Sequence, residues 1–147
     1  TCVLAEMPNN LEKINSLQVH MIIGFVVGLL TLIRIFVKKN HQPLEPLKVE
    51  NNARKKLIKF THFALYTLIL LMVASGITLS IMSGLGEIVF FGSSAPLPED
   101  FSIYLPRKAH GIFAKVLFAF IGIHVVGVIL YKFKTDSSIS KRMWFGK

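Results

Sequence analysis

The chain is poor in most of what hydrolytic and nucleotide chemistry draws on. It has one cysteine, Cys2, in 147 residues, so no disulfide can close within it. Its acidic residues number eight, and Glu87, Glu99 and Asp100 show none of the paired spacing that general acid–base work needs. No CxxC, HExxH, P-loop or dinucleotide fingerprint occurs. No residue is therefore assigned a catalytic role. A signal-peptide pattern, a tandem repeat and a low-complexity run are also missing.

What the chain has instead is apolar length. Hydrophobic residues make up 52% of it, and the mean hydropathy is +0.57. Residues 17–37 carry only Gln18, His20 and Arg34 as strongly polar groups. In 57–82 the basic groups are Lys59 and His62, and in 112–133 they are Lys115, His124 and Lys132. Runs of about 20 residues are long enough to cross a bilayer as helices. The expectation is an all-α membrane protein, a transmembrane helical bundle with spans near 17–37, 57–82 and 108–133. One transmembrane domain then accounts for residues 1–147, with no soluble core beside it.

The net charge of +9 is less informative than its placement. Lys38, Lys39, Lys48, Arg54, Lys55, Lys56 and Lys59 crowd one connection, and Lys132, Lys134, Lys141, Arg142 and Lys147 crowd the C-terminus. The opposite segments hold Lys13, Arg107 and Lys108 against Glu6, Glu12, Glu87, Glu99 and Asp100. By the positive-inside rule, 38–59 and 132–147 are cytoplasmic, while 1–16 and 84–107 face outward. Cations beside apolar helices point to the lipid bilayer and its anionic headgroups as partner, and away from nucleic acid.

Pro8, Asn9, Asn10 and Asn15 make 6–16 read as a loop, with Ser16 capping the first span. Residues 1–5 read as the clipped end of an upstream helix. Pro43 and Pro46 mark a second loop, in which His41 is solvated, and Asn51 or Asn52 caps the next span. Ser75 and Gly76 interrupt that span, and Gly84 and Gly86 end it. Phe90, Phe91, Phe101 and Tyr104 place the long external segment at the interface. Pro106 suits the first position of the third span. Tyr131 and Trp144 form an aromatic belt at its far end.

The chemistry lies in the histidines. His110 and His124 are fourteen residues apart on one span. At about 100° and 1.5 Å per residue they share a face and lie roughly 21 Å apart along the axis. His20 and Arg34 repeat that spacing on the first span. Ionisable groups at such depth are costly and point to function. The directions of the spans place His20 level with His110, and His62 level with His124. Two imidazoles facing each other across a bundle can hold haem iron axially. The bland alternative is hydrogen bonding to water or between helices. His124 either pairs with His62 or takes a partner outside the chain, leaving His62 for a propionate or a quinone. Arg34 either answers a propionate through its guanidinium fork or snorkels beside Lys38. Lys115 snorkels or meets an outer propionate, and Tyr66 packs beside His62. Gly24 and Gly28, stepping along the His20 stripe, either seat a helix contact or leave room for a flat ring.

These residues in this order resemble the bacterial cytochrome b561 family, relatives of the b-type cytochrome subunits of nickel–iron hydrogenases and formate dehydrogenases. The resemblance runs through most of the chain, on His20 with Arg34, His62 with Tyr66 and Gly76, and His110 with His124. It implies a four-helix bundle in the bacterial inner membrane binding two b haems, each held by two histidines. His20 and His110 would hold the outer one. His124 would hold the inner one with a histidine of a first helix that lies outside this chain, His62 being the local substitute. One or two haem b groups are thus the expected cofactor, and His20, His110, His124, His62 and Arg34 the cofactor-binding residues. Ala109, Gly111 and Val73 stand where the family often has Trp, Glu and Pro. The function implied is electron transfer between quinone or quinol and another redox partner, in the manner of a respiratory chain component. Two rivals are the haem-bearing anchor subunit of a hydrogenase- or dehydrogenase-type complex, and a haem-free transporter. A redox partner subunit and a second copy of the chain complete the expected partners.

Overall fold

A computed structural model describes residues 11–40 and 52–135 of the chain. The readings of 1–10, of the loop with His41, of Asn51 and of Trp144 fall outside these residues. Three long helices dominate: α1 (Leu11–Asn40), α2 (Asn52–Ser83) and α4 (Leu105–Thr135), of 30, 32 and 31 residues. The seven-residue α3 (Leu85–Phe91) and a 3-10 turn (Phe101–Ile103) lie between α2 and α4. There is no strand among the described residues. At 1.5 Å per residue each long helix reaches about 45 Å, beyond the roughly 30 Å hydrocarbon core. Each is long and apolar enough to cross a membrane, as three spans in the sequence require.

Several boundaries differ from expectation. Residues 11–16 are helical, so Ser16 lies inside α1 and does not cap it. Only the part of the expected loop before Leu11 remains outside the described residues. Glu12 in the first turn suits the positive end of the helix dipole, and the polar turn continues the helix beyond the apolar slab. Ser75 and Gly76 do not interrupt α2, which runs through to Ser83. The Ser75 hydroxyl bonds the Met72 carbonyl at 2.9 Å, so the span gains a partner for its polar group without breaking. Gly84 ends α2, whereas Gly86 lies within α3. Gly84 and Gly92 have φ of 67° and 65°, the left-handed backbone that glycine adopts without penalty. Each sits where a helix stops, and the Ser93 amide returns to the Glu87 carbonyl at 3.1 Å. Pro106 is the second residue of α4, still in the first turn where its missing N–H has no helical acceptor to lose.

Packing fixes the register. Ser75 meets His110 and His62 meets His124, so α2 and α4 are antiparallel. Val73 meets Gly28 and Tyr66 meets Arg34, so α1 is antiparallel to α2 and parallel to α4. Both α1 and α4 pack on α2, with α2–α4 the more extensive contact, and touch each other little. A gap between α1 and α4, backed by α2, results.

Among the described residues, the buried apolar cluster lies at the α3 end. Leu85, Ile88, Val89 and Leu97 are buried there against Ile14, Leu17, Met21 and Phe101, and Gln18 Nε2 donates to the Val89 carbonyl at 3.4 Å. Elsewhere large apolar side chains point outward, among them Phe25, Phe36, Phe63 and Phe118, as a bundle in contact with lipid requires. Hydroxyls inside the spans close on their own backbone: Thr31 on Val27, Thr61 on Leu57, Thr78 on Ala74 and Ser83 on Leu79, at 2.7–2.9 Å.

Candidate functional site

Four of the five intended site residues meet in two pairs at two depths. At the α3 end, His20 of α1 and His110 of α4 have ring centres 6.0 Å apart and planes at 75°. Toward the other end, His62 of α2 and His124 of α4 have centres 5.1 Å apart and planes at 74°. The fourteen residues between His110 and His124 separate the levels by roughly 21 Å along α4.

Neighbours decide which ring nitrogen of two of these imidazoles carries a proton. His62 Nδ1 lies 2.9 Å from the Ile58 carbonyl, which can only accept, so Nδ1 donates and Nε2 keeps its lone pair. His110 Nδ1 lies 3.0 Å from Ser75 Oγ. The Ser75 proton goes to the Met72 carbonyl, so Ser75 Oγ accepts from His110 Nδ1–H, and again Nε2 keeps the lone pair. Such an outer acceptor on one nitrogen is the usual accompaniment of metal ligation by the other.

A cavity of about 600 Å³ opens beside His20 and His110, walled mostly by α1 and α2 and closed by Arg107, His110 and Leu117 of α4, within the range of cofactor sites. Its walls are mostly apolar. Gly24 and Gly76 line it, and a Cβ on Gly24 would meet nothing within 4 Å. Gly28 is different: a Cβ there would lie 3.0 Å from Val73 Cγ2. The two readings of the glycine stripe therefore divide by residue. Gly28 seats the α1–α2 contact, and Gly24 keeps space open. A Cβ on Gly76 would stand 3.4 Å from His110 Cε1, so α2 comes directly behind that ring.

The residues fit a haem unequally at the two levels. With a metal–nitrogen bond of about 2.0 Å and a nitrogen roughly 1.1 Å from its ring centre, imidazoles on opposite sides of one metal would have centres about 6.2 Å apart. His20 and His110 match that spacing and border a cavity. His62 and His124 stand about 1 Å closer than it.

Two cations, Lys13 and Arg107, line the same cavity; in the sequence they bear only on orientation. Lys13 is 4% exposed, with Nζ 5.7 Å from the centre of the Phe101 ring. Arg107 stands one turn before His110, and a Cβ on Gly111 would lie 3.5 Å from its Nη1. That spacing to His110 was the signal available in the sequence. Ser75 had none, because its role depends on α2 meeting α4. Lys115 is exposed. Arg34 joins neither pair: its Nε donates to Tyr66 Oη at 3.1 Å, and Lys38 Nζ stands 5.6 Å from the same ring's centre.

Fold and site together define a multi-pass α-helical membrane protein with histidines paired between its helices at two levels. The chain matches the family model of prokaryotic cytochrome b561 over residues 3–146 and belongs to that family. It is accordingly a membrane b-type cytochrome of electron transfer, from a family that binds haem b. No curated protein and no solved structure matches it.

Proposed function

We propose that the chain is a single transmembrane domain that carries electrons through haem b, which His20 and His110 would hold. Electrons would pass between quinone or quinol and another redox partner. The observation that carries this reading is the 6.0 Å spacing of those rings, beside a cavity of suitable size. When bound, the haem supplies one-electron chemistry, its iron alternating between ferrous and ferric states. His110 presents Nε2 because Ser75 occupies Nδ1. Apolar walls exclude water, and Lys13 and Arg107 offer counter-charges to the two propionates. His62 and His124 form the second candidate pair and would hold a second haem. Arg34, held by Tyr66, serves a propionate at that level. The setting is the bacterial inner membrane, with 38–59 and 132–147 cytoplasmic, and a homodimer in which lipid-facing helices meet is compatible with it.

Reduced-minus-oxidised spectra of the purified protein, with haem counted per chain, test the reading. A sharp b-type band is expected, and His20→Ala and His110→Ala should each remove the same component. A colourless preparation that retains transport activity would sink it in favour of the haem-free rival. Co-purification of an iron–sulfur subunit would identify the redox partner and the anchor-subunit role.

A further inference from the structure

We infer that Ser75 is a positioning residue for His110, setting through it the redox potential of the group that His110 holds. The inference rests on the reading of His110 as an axial ligand. Ser75 and His110 are among the most enclosed polar residues of the spans, 8% and 9% exposed. Their contact is one link in a directed chain. The Met72 carbonyl takes the serine proton at 2.9 Å, and the serine oxygen takes the His110 Nδ1 proton at 3.0 Å. No other direction satisfies both bonds, since a carbonyl has no proton to give.

Among the described residues, the other span hydroxyls that bond a carbonyl of their own helix stop there. Thr31, Thr61, Thr78 and Ser83 each do so, whereas Ser75 continues to a neighbouring helix. Gly76, next in sequence, lets α2 approach closely enough for the contact, with His110 Cε1 3.4 Å from where a Cβ would be. An acceptor on Nδ1 raises the basicity of Nε2 and fixes the plane of the ring. A more basic ligand favours ferric over ferrous iron, so Ser75 holds the potential down. At the other level the acceptor for His62 is the Ile58 backbone carbonyl, which no side-chain replacement removes. At the α3 end the Met72 carbonyl also faces the His110 imidazole, so replacing Ser75 weakens the acceptor on that ring without abolishing it, and the α3-end level can be retuned by a side-chain substitution.

Spectroelectrochemical titration and low-spin electron paramagnetic resonance of the haem-loaded protein test this in Ser75→Ala and Ser75→Thr. Ser75→Ala should keep its haem, raise the midpoint potential of the His20–His110 component and shift its resonance. Ser75→Thr, which keeps the hydroxyl, should stay near wild type on both. Should Ser75→Ala fail to accumulate, Ser75→Cys supplies a near-isosteric, weaker acceptor and should raise the midpoint likewise. A haem-loaded Ser75→Ala or Ser75→Cys protein with unchanged midpoint and resonance overturns the inference and leaves the ligation reading intact. Full haem retention in His110→Ala overturns both.

Discussion

His20 and His110 bring their ring centres to 6.0 Å although the helices that carry them touch each other little. Each helix leans on α2, and the two imidazoles reach across the remaining gap. The gap is thus held open by the packing of α2, whose Gly76 and Ser75 stand behind His110, and small residues are what permit so close an approach between membrane helices.

Filling the cavity beside these rings should cost cofactor before it costs stability. Gly24 has open space where a side chain would go, and glycine in a helix interior is about 1 kcal/mol poorer than alanine. Gly24→Ala should leave the folded protein as stable or slightly more so. Gly24→Phe should fold, yet lose most of its haem. Haem per chain and thermal unfolding, measured in one detergent, separate the two effects.

Gly28 should behave in the opposite way. A Cβ there meets Val73 Cγ2 at 3.0 Å, so Gly28→Ala overpacks the α1–α2 contact at a cost of about 1–3 kcal/mol. Adding Val73→Ala should recover part of it. A double-mutant cycle in detergent unfolding should return a coupling of at least about 0.5 kcal/mol, and simple additivity would contradict the contact.

His62 and His124 have ring centres 5.1 Å apart. If they share one haem, His62→Ala and His124→Ala should delete the same spectral component and leave that of His20 and His110. Loss with His124→Ala but retention with His62→Ala would assign the partner of His124 elsewhere.

Asp100 gives the segment between α3 and α4 a pH dependence. The Ser102 hydroxyl and amide both donate to its carboxylate, at 2.6 and 2.7 Å, and hold its pKa below the ordinary range. A carboxylate whose folded pKa is lowered contributes above its unfolded value, and that contribution is lost as pH falls through the lowered one. The 3-10 turn it caps should therefore persist through neutral pH and loosen only below the usual aspartate range. Carbon-13 NMR titration of the Asp100 carboxyl checks this, and Ser102→Ala should bring the midpoint back up toward the ordinary value.

Much of the bundle is legible in the chain because lipid imposes a simple requirement. A span needs about 20 apolar residues, and 17–37, 57–82 and 112–133 supply them. The pairing of histidine levels is legible too, since a helix returns to one face after fourteen residues and alternating spans reverse direction. The ends of the helices are less so. The polar turn at 11–16 reads as a loop by composition, yet it continues α1 beyond the apolar region. Composition marks where the lipid stops more directly than where the hydrogen-bond ladder stops. Glycine is legible only as an absence of bulk, so Gly24 and Gly28 look alike until Val73 stands against one of them.

By itself the sequence determined three membrane helices, their alternation and the depth of each imidazole, because apolar length and helical period are local properties of the chain. Tertiary structure decided which nitrogen of His110 is free, which glycine faces a void and which cations, Lys13 and Arg107, reach it. Those depend on how far α1 and α4 stand apart on α2, a distance set by side chains more than thirty residues away along the chain.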